Sequence, residues 1–594
     1  MNNFARNRWL AALVMATFGI AACGKDKPAD RDAAGPLTDQ SGLLQYVPAD
    51  TPYIFANAEP LPDEFMDKIE PAIDQLLRAY QEMLVGIADQ AAADFEADED
   101  GREEAERALA VLGEVSSLLS IEGLREAGIG RDSTSVFYGN GLLPVLRMEL
   151  SDPDRFDATI ERFEAQAGAK MSVADIGSQS YRYVDADAVR VIVATIGDEA
   201  VVTLAPTTFD ADQIGTLLGL TLPETNIAES GELLEIAEKY DYSAHYVGLV
   251  STTRIAETFL EDQTGINAAL FELMDASDKP DLSEVCKTEI RSLVETAPRI
   301  AMGYNEFSTE RMLSSVIVEL RGDIAGGLTG LTAPVPGLGV DNGGMLSFGL
   351  SLNPLAAREF YEARLDVMEA EPYECDLFAE LQAGVAQGRA ALEQPVPPMV
   401  YDFRGLLAVI DKVDGFDFAQ QKPPKVLEAR VMLAMENANN LLMMGAMMMP
   451  AIAELQLEPN GEPVALDPAM LAGFGLEQAS VALSENALAI AVGQEADTGL
   501  EAMFGAETVD PTPFFSVNMD AARYFDFIRQ ASEVQAQAVV AETGDDDGSE
   551  YLEMTQAAQA EVLAALQELY DRILLDVYFT DNGIEMHSVV TLKD

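Results

Sequence analysis

Apolar positions along the chain keep two different rhythms. Around 62–93, 103–126, 425–456 and 553–573 they recur at three- and four-residue spacing, which predicts four long helices, each with one buried face. Elsewhere they alternate, or run together in short stretches bounded by turn residues, as strands do. Gly139-Asn140-Gly141, Gly197-Asp198-Glu199 and Asp581-Asn582-Gly583 fall between such stretches and predict tight hairpins. A compound phrase also recurs: an apolar strand, a capping residue, then a helix bearing aromatics. VLRMELSDPDRFDATIERF and MLSFGLSLNPLAAREFYEARL both set Asx before Pro, at Asp152-Pro153 and Asn353-Pro354. The Asx oxygen accepts the orphan amides of a helix start, and Pro fits the first helical position. HYVGLVSTTRIAETF and FFSVNMDAARYFDF follow the same plan, with Ser251 or Thr252, and Asp520, as caps. The expected class is α+β, with long helices packed on mainly antiparallel sheets.

Four phrases repeat in order, which predicts an internal duplication. Tyr53-Ile54-Phe55 resembles Tyr401-Asp402-Phe403, each followed by a long helix. GIGRDSTSVFYGNGLLPVL from Gly128 resembles GFGLEQASVALSENALAIAV from Gly473. HYVGLVSTTRIAETF from His245 resembles FFSVNMDAARYFDF from Phe514. RIAMGYNEFSTERMLSSVIVEL from Arg299 resembles RILLDVYFTDNGIEMHSVVTL from Arg572. The spacing between copies falls after the second phrase, so the first copy is expected to hold an inserted hairpin segment at about 151–226. The expected organisation is a first lobe over 46–325, a connecting segment over 326–397 and a second lobe over 398–594. The Gly- and Pro-rich run AGGLTGLTAPVPGLGVDNGG marks the boundary.

The N-terminus has a different logic. Arg6 and Arg8 precede a short apolar run, Trp9 to Ala22, which has signal-peptide length and is too short to span a bilayer comfortably. Ile20-Ala21-Ala22-Cys23 resembles the lipobox of bacterial lipoprotein precursors. That resemblance implies a signal peptide over 1–22, cleavage before Cys23, a thioether lipid on its thiol and an acylated amino terminus. Gly24 stands where the family's inner-membrane retention signal places Asp. The resemblance therefore implies an outer-membrane anchor with the body facing the periplasm, or displayed on the surface. Residues 23–45, rich in Lys, Asp, Pro, Ala and Gly, read as a disordered tether.

Composition narrows the rest. A hydrophobic content of 48% excludes a mainly disordered chain, and 594 residues allow two or more domains. The net charge of −64 excludes nucleic acid as a partner and disfavours contact with anionic lipid surfaces. An acid-rich surface of this kind suits saline surroundings, where counterions screen its self-repulsion. Of three cysteines, Cys23 is spent on lipid. Cys286 and Cys375 form an even pair in an oxidising compartment and are expected to be joined.

Candidate chemistry is sparse. His245 and His587 fall in different repeated phrases, and no GxSxG, HExxH, GxGxxG or phosphate-loop pattern accompanies them. Carboxylate pairs are uninformative among 101 acidic residues. Glu96, Asp98 and Asp100 before Gly101 mimic the start of a calcium loop, but Arg107 takes the closing ligand's place. Asp545-Asp546-Asp547-Gly548 has no better closure. No catalytic residue, metal site or cofactor is therefore assigned. One cluster stands out: Met432, Met435, Met443, Met444, Met447, Met448 and Met449 crowd the segment 429–450. Flexible thioethers can fill core gaps, form an adaptable apolar groove, or ligate copper(I). The best reading is a non-catalytic lipoprotein that binds an apolar ligand or an envelope protein, with the Met residues as a contact helix. An envelope hydrolase acting on glycan or peptide, and a structural or surface lipoprotein, are the alternatives.

Overall fold

The structure is a computed structural model. It describes residues 36–593 except 40–41, 96–109, 111, 262–264, 273–281, 416–423, 425, 449–451, 453, 472–475, 477, 495 and 544–545. The expected signal peptide, Cys23, most of the expected tether, the segment from Glu96 to Arg107, Asp545 and Met449 lie outside the described residues. So do the side chains of Met448, Asp546 and Asp547. With 42% helix and 30% strand, and the strand pairs within each unit antiparallel among the described residues, the chain is α+β. It divides into two compact units. Unit 1 holds the chain up to Leu282, with Pro298–Thr309 and Asp545–Ala565; unit 2 holds Ser283–Ala297, Glu310–Gly544 and Leu566–Asp594.

Unit 1 carries nine strands: β1 (Tyr53–Asn57), β2 (Ser135–Asn140), β3 (Leu143–Glu149), β4 (Ser172–Ile176), β5 (Gln179–Ala186), β6 (Val189–Ile196), β7 (Glu199–Pro206), β8 (Val247–Ser251) and β9 (Arg299–Phe307). Their order is β4-β5-β6-β7-β3-β2-β1-β8-β9. Unit 2 carries ten: β10 (Arg311–Glu319), β11 (Leu346–Ser351), β12 (Phe403–Asp414), β13 (Val426–Met435), β14 (Val464–Ala465), β15 (Ala479–Leu483), β16 (Ala487–Val492), β17 (Phe515–Asp520), β18 (Tyr570–Thr580) and β19 (Gly583–Leu592). Their order is β14-β15-β16-β13-β12-β11-β17-β18-β19-β10.

The two orders follow one plan. β11 takes the central place of β1, β12 and β13 take those of β2 and β3, and β17 and β18 those of β8 and β9. In both units the chain leaves the third strand through a helix, reaches the far edge, and returns by hairpins until its last strand pairs with the third. The spacing of counterparts stays near about 270 residues from β2 onward. This pairs two of the repeated phrases differently from the sequence match. Tyr401-Asp402-Phe403 leads into β12, the counterpart of β2, and the hairpin after Gly473 occupies the place of β6 and β7. Short apolar hairpins share one alternating pattern wherever they sit, so pattern alone cannot tell neighbouring hairpins apart. Residues 151–226 hold β4 to β7, in the place that β14 to β16 hold in unit 2.

Local signals act as their chemistry requires. Asp152 accepts from the Arg155 amide (3.1 Å), Asn353 from Ala356 (3.3 Å), Ser251 from Arg254 (3.2 Å) and Asp520 from Arg523 (2.9 Å), each starting a helix directly after a strand. Helices Asp63–Phe95 and Asp546–Leu569 fall where periodicity places them. The helix expected over 103–126 is broken by Ser120, whose hydroxyl caps a new short helix at Ile121–Glu126. The helix expected over 425–456 is corrected: its first part is β13, paired on both sides, and the described helical residues are Ala438–Met448, Ile452 and Glu454.

Cys286 and Cys375 are joined, with Cα atoms 4.9 Å apart and a sequence separation of 89. Both belong to unit 2. The bond fastens helix Glu284–Val294 to the chain ahead of helix Ala379–Leu392, and Glu289 accepts the amides of Glu374 (2.8 Å) and Cys375 (3.0 Å) beside it. Among the described residues no helix is long and apolar enough to cross a membrane.

Candidate functional site

The sheet of unit 2 has an unusual distribution of side chains between its faces. In β11 the buried residues are Ser347, Gly349 and Ser351, while Leu346 and Leu350 are partly exposed and Phe348 is 37% exposed. β17 buries Ser516 and Asn518 and leaves Phe515, Val517 and Met519 partly open. β16 buries Ala487, Ala489 and Ala491 and leaves Leu488, Ile490 and Val492 outward, with Ile490 43% exposed. β13 buries Met432 and Ala434 and exposes Val431 at 41%. In β11, β16 and β17 the small or polar side chains are covered and the larger apolar ones face outward, while β12 and β13 also bury Leu407, Val409 and Met432 on the covered face.

The cause lies on the covered face. Helix Ala496–Phe504 sets Leu500 and Met503 among Met432, Ala434, Ala489 and Ala491. Small side chains let that helix and the 331–338 segment lie close to the sheet: a Cβ at Gly349 would stand 2.8 Å from Leu338 Cδ1. Where the backbone approaches most closely, at Gly349, a larger side chain does not fit; Leu407, Val409 and Met432 fill the wider places on the same side.

Register aligns the side chains of this face into rows across the strands, all of them partly or well exposed except Ala408, which is buried. Ile490 lies opposite Val431, Val431 opposite Ala408, Ala408 opposite Phe348, Phe348 opposite Val517, and Val517 opposite Leu575. The next row runs Leu488, Leu433, Leu406, Leu350, Phe515, Val577 and Met586. A third passes through Val492, Ile410, Leu346, Met519 and Ile573 to Val590. Extended to β10, the rows meet polar side chains only at Ser588 and Ser314. From β16 to β10 the strip measures roughly 34 Å by 13 Å at ordinary strand spacing. An exposed apolar patch of that order, several hundred Å², is a binding surface far more often than an accident.

In unit 1 the equivalent face is closed over β3 to β7. The helix after β3, Pro153–Ala167, places Phe156 on Leu146, Met148, Val193 and Val202. The helix after β13, Ala438–Met448, is its counterpart. Its Leu441 and Leu442 reach only the margin of the open face, packing with Leu483 and Leu488 near Phe403.

The methionines divide accordingly. Met432 and Met435 are not on a helix: they are buried strand residues of β13. Met443 and Met447 sit one turn apart on the helix and are 60% and 85% exposed, with Met444 partly buried between them. Met448 ends the helix.

The histidines lie in separate units. In unit 1, His245 meets the Glu59 carbonyl through Nδ1 (3.3 Å) and packs its edge on Phe307. His587 is in β19, with Nε2 3.0 Å from Glu585 Oε2. That contact, with Thr580 and Asn582 donating, lowers Glu585 to about 2. Asp576 lies opposite His587 across β18 and β19 and is buried, which raises its carboxyl; hydrogen bonds from Ser516 and from the Tyr578 hydroxyl (3.1 Å) oppose the shift. Ser516, Asp576, His587 and Ser315 stand in one register row on the side opposite the open rows, and all but His587 are buried. Among the described residues no group of three or more His, Cys, Asp or Glu could hold a metal ion.

Unit 1 has an open cavity of about 610 Å³ lined by Tyr46, Asp132, Glu149, Asp198 and Glu199. Arg147, fully buried, pairs with Glu199, donates to the Leu218 carbonyl and lies 3.6 Å over the Tyr46 ring. Burial first, and then repulsion from Glu149 and Asp198, raises Glu199 despite Arg147. The acidic lining favours a cation and rejects an anion.

The open face escaped the sequence reading because alternation marks a strand without saying which side is covered. No known family, curated protein or solved structure matches this chain.

Proposed function

We propose that the chain is a non-catalytic, lipid-anchored binding protein of the bacterial outer membrane that holds an apolar ligand on the open sheet face of unit 2. One observation carries this reading: the sheet turns Phe348, Val431 and Ile490 outward while burying Ser347, Ser516 and Asn518. Leaving apolar area in water forgoes about 25 cal/mol per Å², a standing cost that a bound apolar ligand removes. The lipobox-like Ile20-Ala21-Ala22-Cys23 supplies the membrane address, and the net charge of −64 makes the body a poor binder of anionic membrane. Attachment through Cys23 alone leaves the face available to a ligand. Native mass spectrometry and solvent extraction of the purified full-length chain test the reading. Non-covalent apolar ligand, lost when Phe348 and Ile490 are both changed to Glu, supports it. A ligand-free protein that takes up no apolar compound refutes it.

The hydrolase alternative draws on Asp576, desolvated and close to Tyr578 and His587. His587 is engaged with Glu585, and its row neighbours Ser315, Ser516 and Asp576 are buried, so the binding reading is preferred.

A further inference from the structure

We infer that the occupant of the open face is the acyl region of a lipid whose head group carries no net negative charge. This rests on the binding reading above and names its ligand class.

Hydrogen bonding gives the first argument. From β16 to β10 the backbone groups are used in ladders, and the three side-chain rows offer hydroxyls only at Ser314 and Ser588. A peptide or protein surface laid there would bury polar groups without partners, at about 1–3 kcal/mol each. Hydrocarbon has no such groups. Protein interfaces are anchored by Trp, Tyr and Arg, and none of these occurs in the three rows.

Dimensions give the second. A bilayer core about 30 Å thick holds two acyl chains end to end. The strip, roughly 34 Å long across the strands, takes chains of that length laid along the rows. Leu441 and Leu442 pack with Leu488 at the margin of the strip, and the same helix exposes Met443 and Met447, flexible side chains that adapt to chains of differing length.

Charge gives the third. Glu436, Glu485 and Asp581 stand exposed at turns along one border, and the other border mixes Arg311, Lys412 and Asp414. In a chain of net charge −64, a phosphatidylglycerol-like head is repelled, as is a second copy of the protein. A zwitterionic or uncharged head is not.

The test mixes the purified full-length chain with vesicles of phosphatidylcholine or of phosphatidylglycerol with matched acyl chains, at low and high salt. Bound lipid is counted by native mass spectrometry. Expected is phosphatidylcholine binding that exceeds phosphatidylglycerol binding by about tenfold at low salt, with the gap closing at high salt as the field is screened. Phe348→Glu with Ile490→Glu should abolish both without shifting the melting transition. Equal or stronger phosphatidylglycerol binding at low salt overturns the head-group inference and leaves the binding reading standing. Binding of neither lipid overturns both. A lipid-free dimer dissolved by Phe348→Glu assigns the face to a second copy and also overturns the inference.

Discussion

Ile490 and Val431 stand directly opposite each other on neighbouring antiparallel strands, and both point to the side of the sheet away from helix Ala496–Phe504. Each is about two-fifths exposed, while their chain neighbours Ala489, Ala491 and Met432 are buried. This outward turn of branched apolar side chains underlies the functional reading, and it can be tested on stability alone. Phe348→Gln should change unfolding free energy by less than about 0.5 kcal/mol, as at an ordinary surface position. Gly349→Ala, one residue along, should cost about 1–3 kcal/mol, because the new Cβ meets Leu338 and the Leu406 carbonyl. Urea denaturation of both variants checks the contrast.

How much of this was legible beforehand depends on which residue is asked. Leu346, Phe348 and Leu350 alternating with Ser347, Gly349 and Ser351 spell a strand. The usual reading would turn the apolar set inward, and only the packing of another part of the chain on the glycine and serine side decides otherwise. Met432 and Met435 looked helical because their three-residue spacing suits a helix, while pairing with β12 and β16 makes them strand. Asp152, Asn353, Ser251 and Asp520 were legible because capping is local chemistry. The disulfide was legible from compartment and parity. That its two ends both belong to unit 2 was not, since unit membership depends on distant contacts.

The disulfide joins two residues of unit 2 that are 89 positions apart, and the loop it closes includes Pro298–Thr309 of unit 1. In the chain-entropy account a closure of that length contributes about 4–5 kcal/mol. Cys286→Ser with Cys375→Ser should therefore lower the denaturation midpoint substantially, and reductant should do the same to the parent protein and nothing further to the variant.

Arg147 and Glu199 form a buried pair beside Glu149 and Asp198. Arg147→Met should cost about 3–5 kcal/mol, because it leaves Glu199 partly desolvated without its cation. Adding Glu199→Gln should recover part of the loss, giving a coupling measurable in a double-mutant cycle.

Glu585 is held at about 2 by His587, Thr580 and Asn582, against an ordinary value of 4.5. A lowered carboxyl contributes stability that is complete above the unfolded value and disappears as pH falls through the folded one. Unit 2 should thus lose up to about 3 kcal/mol between roughly pH 4.5 and pH 2, and Glu585→Gln should flatten that slope. Asp576 works in the opposite direction: its raised carboxyl penalises the folded state near neutrality, and protonation relieves the penalty. Asp576→Asn should be more stable than the parent at pH 7, with the difference shrinking as pH falls towards 4.

The most direct measurement places a photoreactive phenylalanine analogue at Phe348 and, in a separate chain, at Leu355, an exposed apolar position on helix Pro354–Ala370. After irradiation in the bacterial envelope, the full-length protein is analysed by mass. The account predicts a lipid adduct at position 348 and little or none at 355. Equal labelling at both positions, or none at 348, would contradict the assignment of the open sheet face as the ligand site.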